Sequence, residues 1–566
     1  MSRPSAAVIE PGRQQKLRLR PWQRRALDVY QATALPDFLA VATPGAGKTV
    51  FALTAARLTL PSLANEGFGG RLVVVAPTRH LKLQWAEAAE RFGLHLDTEW
   101  TPADRLPSDV HGLVTTYQQV ATASEELARV TVGGLVILDE VHHAGDELAW
   151  GDGVTAAFST ATRRLALSGT PFRSDTAAIP FLNYVGDQVV PDVEYGYGEA
   201  LSDGAVVRPV YFPRFGGHME WTAPDGAEMS ASFEDALPRS LANQRLRAAL
   251  SLDGEWLPAV LGHANRQLSE IREKQPAAGG LVIASDQDHA NAIARLLRDR
   301  FGVRATVAVS EDSEASSKIT RFASSNDPWI VAVRMVSEGV DIPRLRVGVH
   351  ATTTTTELFF RQAVGRVVRH TGGRGRAYMF VPDDPRLRHY AATIAETRRH
   401  RLQRSYDDDQ IRTVDDDDRG SDDDQQLSLF AVHSATAVEA PVDPDDILAT
   451  HDEPHEPSPV DLTSPELLID LAELPPVPGG PKRRLGNDPG AGGGRAERER
   501  QRSINAQWAR DLATLTGSSH ANVNAELNRL SGVGKVSEAT VDQLQRRAEA
   551  AAKWFDRERR RQTQPR

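Results

Sequence analysis

Short unbroken apolar runs alternate with longer stretches of helical spacing through most of this chain. Residues 38–41, 135–138 and 281–284 are continuous apolar segments, the pattern of strands buried on both faces of a parallel sheet. A helix-prone run at 50–60 follows the first of them, and 243–252 and 256–274 place apolar side chains at helical spacing. Strands and helices in alternation predict an α/β class with parallel sheets. The pattern then changes twice. From 405 to 490 the chain is rich in Asp, Pro and Ser and poor in apolar residues, which predicts a disordered, extended linker. From 495 to 566 helical spacing returns, with helices expected over 503–515, 521–530 and 538–555 in a small all-α domain.

The formal net charge of −10 hides this division. About seventeen excess negative charges fall between 405 and 490, whereas 495–566 carries about six excess positive ones. The aspartate runs 407–409, 415–418 and 422–424 repel one another and favour extension. Asp415 and Asp417 could open a calcium loop, but Arg419 stands where a ligand is required and Gln426 where the bidentate Glu should be. The 566 residues suffice for about three to four domains. No run of eighteen apolar residues occurs, and 1–16 is polar and broken by proline. A soluble, cytoplasmic and nucleoid-associated protein with no membrane partner is therefore expected. The absence of cysteine excludes disulfides and thiol chemistry.

Chemistry enters at Ala42-Thr43-Pro44-Gly45-Ala46-Gly47-Lys48-Thr49, between a predicted strand and a predicted helix. Glycines such as Gly45 and Gly47 let a backbone wrap a triphosphate, Lys48 reaches its outer phosphates, and the Thr49 hydroxyl can ligate Mg²⁺. The apolar run 135–138 delivers Asp139 and Glu140 to the C-terminal edge of a sheet, where open α/β folds place ligands. Asp139 would hold Mg²⁺ and Glu140 would polarise an attacking water. His142 and His143 follow, but no ligand cluster at zinc-site spacing accompanies them.

Further motifs follow in a fixed order: Asp139-Glu140-Val141-His142-His143, Leu167-Ser168-Gly169-Thr170-Pro171, Ser337-Glu338-Gly339-Val340-Asp341, and Arg361-Gln362-Ala363-Val364-Gly365-Arg366-Val367-Val368-Arg369. Over roughly 17–385 the chain resembles the superfamily 2 helicases. Arg20-Pro21-Trp22-Gln23 resembles their adenine-reading Q motif, Ala76-Pro77-Thr78-Arg79 motif Ia, and Val114-Thr115-Thr116-Tyr117 motif Ib. The resemblance implies two RecA-like lobes clamping ATP, with Lys48, Thr49, Asp139 and Glu140 on the first and Arg366 and Arg369 on the second. It also implies that Gln362 senses the γ-phosphate, that Asp341 faces ATP, and that Gly339 allows close backbone approach. Thr78, Arg79, Thr115, Thr116, Ser168 and Thr170 would couple ATP state to nucleic acid. The acidic box is similar to that of DNA-acting repair helicases and restriction motors rather than of DEAD-box RNA helicases.

The implied domains are a disordered 1–16, a first lobe at 17–200, an inter-lobe connection at 201–275 and a second lobe at 276–400. The linker at 405–490 and the basic helical domain at 495–566 complete the chain. Tyr195 to Leu201 and the run 206–212 resemble the crossing strand of restriction-type motors, and the helices at 243–252 and 256–274 read as structural spacers. In the last domain Leu527, Leu530, Ser531, Gly532, Val533 and Gly534 resemble a helix-hairpin-helix turn, which offers backbone N–H groups to a phosphate. A solvated helical cap is the other reading.

Gln425, Gln426, Leu427, Ser428, Leu429 and Phe430 stand as an apolar island among aspartates. Gln426 to Phe430 resembles the peptide by which bacterial polymerases and repair proteins dock on the sliding clamp. The island at 465–474 is expected to form a short amphipathic helix. These features together predict an ATP-dependent DNA helicase or translocase using ATP and Mg²⁺, recruited by the sliding clamp to replication-coupled repair or recombination. A restriction or phage-defence motor working with a separate nuclease, and an RNA helicase, are the alternatives.

Overall fold

The structure, a computed structural model, describes residues 16–65, 70–145, 148–169, 178–186, 188–204, 206–309, 315–333, 342–369, 375–403, 431–439, 468–470 and 495–563. Seven parallel strands form the first sheet, in the order Val193–Tyr195, Asp37–Ala42, Arg163–Ser168, Leu135–Leu138, Leu72–Ala76, Gly112–Thr116, Leu96–Asp97. Alternation along each strand splits the core. Phe38, Ala40, Leu72 and Val74 pack with Trp22, Leu27 and Trp85 on one face, while Leu39, Val41, Val73 and Val75 pack with Tyr117 and Phe158 on the other. Burial on both faces explains why these strands read as unbroken apolar runs. Because the strands are parallel, the segments after Ala42, Leu138 and Ser168 all emerge at one edge.

The second sheet orders Glu228–Ser232, Arg214–Thr222, Ala377–Pro382, Leu345–Ala351, Gly279–Ala284, Trp329–Val333 and Ala305–Ala308, with Val210–Tyr211 added to Ala377–Pro382. The chain crosses between lobes where expected: Val193–Tyr195 pairs in the first sheet and Val210–Tyr211 in the second. The two α/β lobes are thus as predicted, the first sheet wholly parallel and the second parallel from Arg214–Thr222 to Ala305–Ala308 with antiparallel strands added at its Arg214–Thr222 edge.

Three expectations need correction. The stretch 201–275 is not a spacer. Its helix Trp256–Lys274 buries Trp256, Leu257, Val260, Leu261, Ala264 and Leu268 against the second sheet, in one core with Val331, Val347 and Val349. Its hairpin Arg214–Thr222 and Glu228–Ser232 extends the same sheet. Helical periodicity was visible in the sequence, but the partner of the apolar face was not.

The stretch 405–490 is not wholly an unstructured linker either. Ala431–Glu439 pairs antiparallel with Arg214–Thr222, and Ala435 is buried. Its seat is made of glycine: a Cβ on Gly217, at φ +140°, would fall 1.8 Å from the Thr436 carbonyl oxygen, and one on Gly254 would fall 2.6 Å from the Ala435 Cβ. Leu468–Asp470, within the island expected to be helical, is instead a strand paired with Lys16–Arg18. Both segments gain backbone hydrogen bonds only from partners far away in sequence, which local periodicity does not report. The clamp-like peptide Gln426 to Phe430 lies outside the described residues, as do 1–15 of the expected disordered N-terminus.

The C-terminal region folds as the helices Arg495–Thr516, His520–Ser531 and Val541–Thr563 around Leu512, Val523, Leu527 and Ala551. Its interior also holds Arg547, whose guanidinium donates to the side-chain oxygens of Asn505, Asn524 and Asn528 at 3.0, 2.7 and 2.8 Å. The hairpin-like turn behaves differently from its resemblance. Gly532, at φ +68°, caps the second helix. Beyond it, Lys535 Nζ donates to the Ala103 carbonyl at 2.8 Å and Ser537 Oγ to Asp104 at 2.8 Å, so the turn grips the first lobe. Arg498 reaches Asp109 at 2.6 Å, Arg502 approaches Asp97 at 3.6 Å, and the Val541 N–H donates to Asp109 at 2.9 Å. Among the described residues no helix is long and apolar enough to cross a membrane.

Candidate nucleotide site between the lobes

The phosphate-binding loop sits between the buried strand Asp37–Ala42 and the helix that begins at Lys48. Gly45 and Gly47 take φ +83° and +91°, a region that other residues enter only with strain. Three side chains from the start of helix Pro21–Ala32 hold three consecutive loop carbonyls: Arg20 that of Gly45 at 2.9 Å, Trp22 that of Ala46 at 3.0 Å, and Gln23 that of Gly47 at 3.0 Å. In a planar trans peptide the C=O and N–H point oppositely, so the N–H groups of Gly47 and Lys48 are turned to the other side. The Gln23 amide is engaged at both ends, since its oxygen accepts from the Arg20 N–H at 2.8 Å. Here it braces the loop through the Gly47 carbonyl.

Lys48 Nζ donates to the Ala42 carbonyl at 3.1 Å and lies 3.2 Å from Glu140 Oε1. Glu140 itself sits at φ +46°, the left-handed region, and its other carboxylate oxygen accepts from the Gly169 N–H at 2.9 Å. Burial works against the Glu140 charge, but Lys48, His142 and the Gly169 N–H outweigh it and hold the carboxyl below the usual carboxylate range. Asp139 behaves oppositely. Burial, with the Glu140 charge added, pushes it above the usual carboxylate range, while a hydrogen bond from Trp85 works the other way. Two adjacent carboxylates with such different environments suit a division of roles.

Residues of the second lobe reach this edge directly. Gln362, on helix Glu357–Val367, lies 3.1 Å from His142 Nε2, and the other ring nitrogen of His142 lies 3.5 Å from Ser168 Oγ. Past the end of that helix, Arg369 lays its aliphatic stem against Gly45, 3.6 Å from where a Cβ would stand. Gly365 faces Pro44 so closely that a Cβ would meet the ring at 2.7 Å. Arg366 is buried on the same helix. The structure therefore gathers Lys48, Asp139, Glu140, Ser168, Gln362 and Arg369 around one cleft, with Thr49 in the first turn of the loop helix. Thr170, Gly339 and Asp341 lie outside the described residues.

Thr78 caps helix Arg79–Arg91 by accepting the Leu81 N–H at 3.3 Å, and Thr116 caps helix Tyr117–Thr122 by accepting the Gln119 N–H at 3.3 Å. Thr115 is fully buried and bonds Gln119 at 2.9 Å. Trp85, which bonds Asp139, belongs to none of the motifs, whereas Arg20, which bonds the loop, opens the Q-motif stretch. Trp85 is 54 residues from its partner, and nothing local signals the contact.

Two family models match the chain: "Type III restriction enzyme, res subunit" over residues 16–173 and "Helicase conserved C-terminal domain" over 263–371. An uncharacterized protein of Mycobacterium leprae is 46% identical over 409 residues, covering 71% of this chain and 67% of that protein. An uncharacterized Mycobacterium tuberculosis protein is 47% identical over 397 residues, covering 69% of this chain, and the match spans 65% of the length of that relative. The Sulfurisphaera tokodaii protein named DNA 3'-5' translocase XPB2 is 24% identical over 363 residues, covering 60% of this chain and 78% of that one. With two α/β lobes meeting at a phosphate-binding loop and both halves matched in order, the chain belongs to the superfamily 2 helicases, in one family with these mycobacterial proteins.

Proposed function

We propose that this protein is an ATP-driven DNA translocase or helicase. The observation that carries the reading is the convergence on one loop of Lys48 and Glu140 from the first lobe and Gln362 and Arg369 from the second. Phosphoryl transfer needs mainly positioning and charge stabilisation, so a cleft completed by the second lobe ties hydrolysis to lobe closure. Lys48 binds the outer phosphates, exchanging its contact with Glu140 for them, and Glu140 then orients the attacking water. Arg366 and Arg369 stabilise the charge that develops on the transferred group. Thr49 and Asp139, a hydroxyl and one carboxylate, fit the sparse protein ligation that Mg²⁺ accepts beside phosphates. When bound, Mg²⁺ would neutralise phosphate charge. DNA as the polymer is supported by the relative named as a DNA translocase.

Recruitment by a bacterial sliding clamp through Gln426, Leu427, Ser428, Leu429 and Phe430, in replication-coupled repair or recombination near the nucleoid, is the finer part of the proposal. Its support is the sequence of that peptide and the strand Ala431–Glu439 that begins directly after it. The restriction-subunit match favours a second reading, a defence motor that works with a separate nuclease. ATPase rates with duplex DNA, single-stranded DNA and RNA test the first: stimulation by DNA alone is expected, and stimulation by RNA alone would replace it with the RNA-helicase reading. Calorimetry with the cognate clamp tests the recruitment. Micromolar binding that is lost when Leu429 and Phe430 become Ala is expected, and absence of binding removes the clamp from the proposal.

A further inference from the structure

Asp139 is held from two directions by aromatic side chains. The indole N–H of Trp85 donates to Asp139 Oδ2 at 2.7 Å, and the hydroxyl of Tyr117 donates to the Asp139 carbonyl at 2.9 Å. Both rings are buried, at 2% and 0% exposure, so water does not compete for either bond. They come from different helices. Trp85 rides on Arg79–Arg91, whose first turn is capped by Thr78 and whose last turn offers Glu87 and Glu90 to Arg495 of the C-terminal unit. Tyr117 is the first residue of Tyr117–Thr122.

A carboxylate has about four lone-pair sites on two oxygens. One rigid donor of fixed direction sets the rotation of the group and leaves lone pairs to bind a cation. Indole suits this task because it carries a single N–H on a plane fixed by packing, and it accepts nothing itself. The Tyr117 bond acts one step further back, on the peptide that joins Asp139 to the strained Glu140 at φ +46°.

We propose that Trp85 and Tyr117 are positioning residues for Asp139, the indole fixing the rotation of its carboxylate and the phenol fixing its backbone, so that the cation-holding group is set before the nucleotide arrives. The proposal rests on the assignment of Asp139 to Mg²⁺. Outer hydrogen-bond partners of metal-ligating groups typically contribute about 10–100-fold in metal affinity; the Trp85 bond is of that kind, and the Tyr117 bond, made to the backbone carbonyl, contributes less.

The test uses the full chain. Binding of a fluorescent ATP analogue is followed in EDTA and at rising Mg²⁺, alongside kcat and KM. Trp85→Phe keeps an apolar ring and removes the N–H, Tyr117→Phe removes one hydroxyl, and Asp139→Asn is the reference. The expected result is unchanged binding in EDTA for both aromatic variants, with the Mg²⁺ midpoint raised about tenfold in Trp85→Phe and about threefold in Tyr117→Phe. If Trp85→Phe does not fold, the Tyr117→Phe midpoint decides alone. An unchanged midpoint, or weakening of EDTA and Mg²⁺ binding in parallel, overturns the proposal. Should Asp139→Asn keep the full Mg²⁺ effect, the assignment of Asp139 falls and takes the proposal with it, an outcome distinct from a silent Trp85→Phe beside a defective Asp139→Asn.

Discussion

At the cleft, Lys48 lies 3.2 Å from Glu140 on a loop whose Gly45, Ala46 and Gly47 carbonyls are held by Arg20, Trp22 and Gln23, so its charge is delivered to one place. In the C-terminal unit, Arg498, Arg502 and Lys535 reach Asp109, Asp97 and Asp104 of the first lobe, and Arg547 is locked among three asparagines. Both regions are built on cations. In the cleft the cation's partner is one that a phosphate can replace, whereas in the C-terminal unit the partners are structural. Basic composition alone therefore does not distinguish a grip on nucleic acid from a grip on the protein's own acidic rim, and Arg498, Arg502 and Lys535 are spent on docking.

The largest expected effect lies at the cleft. Lys48→Ala should weaken nucleotide binding severely, whereas Glu140→Gln should leave binding largely intact and lower kcat by about 10²–10⁴. Equilibrium nucleotide binding and single-turnover hydrolysis would check this, and near-normal turnover in Glu140→Gln would remove that residue from the reaction. Next comes Gly365→Ala, which sets a methyl 2.7 Å from the Pro44 ring and so forces the lobes apart. With overpacking of about 1–3 kcal/mol, kcat should fall about tenfold or more while nucleotide binding to the first lobe is kept. Equal activity would show that the cleft closes differently during turnover.

In the C-terminal unit, Arg498→Ala leaves Asp109 without its guanidinium partner. A loss of about 1–3 kcal/mol for the dock is expected, read by calorimetry as an earlier transition for 495–563, with the cleft's nucleotide affinity unchanged. A single unshifted transition would mean that the dock rests on other contacts. The smallest effect sharpens the comparison from the other side. Arg546, Lys553 and Arg557 line the outer groove of helix Val541–Thr563 and take no part in the docking contacts described above. If that face meets phosphate, changing all three to Gln should flatten the slope of log affinity for DNA against log salt by about two to three, with ATPase unchanged at low salt. No change in slope would leave the unit as a cap alone.

The cleft was readable from sequence because each of its parts is a local pattern. An apolar run predicts a strand, a glycine-rich stretch after it predicts a turn of positive φ, and Asp139-Glu140 at the end of another run predicts carboxylates at a sheet edge. The bracing was not readable. Trp85 reaches Asp139 across 54 residues, and Gln362 reaches His142 across 220. The helix Trp256–Lys274 was legible as a helix, yet its place on the second sheet depended on which face of that sheet was uncovered. Ala431–Glu439 is not legible because the partners that hold it, Gly217, Gly254, the edge of Arg214–Thr222 and the core around Ala435, all lie far away in sequence.

The sequence by itself determined the class of the fold, the phosphate-binding loop, the acidic pair and the division into motor and charged C-terminal parts, since periodicity, glycine placement and carboxylate spacing act over a few residues. Tertiary structure alone decided which cation meets which anion. Coulomb and hydrogen-bond energies fall off over a few ångströms of space whatever the separation along the chain. That is why Arg498 answers to Asp109, Trp85 to Asp139, and the hairpin-like turn to the first lobe.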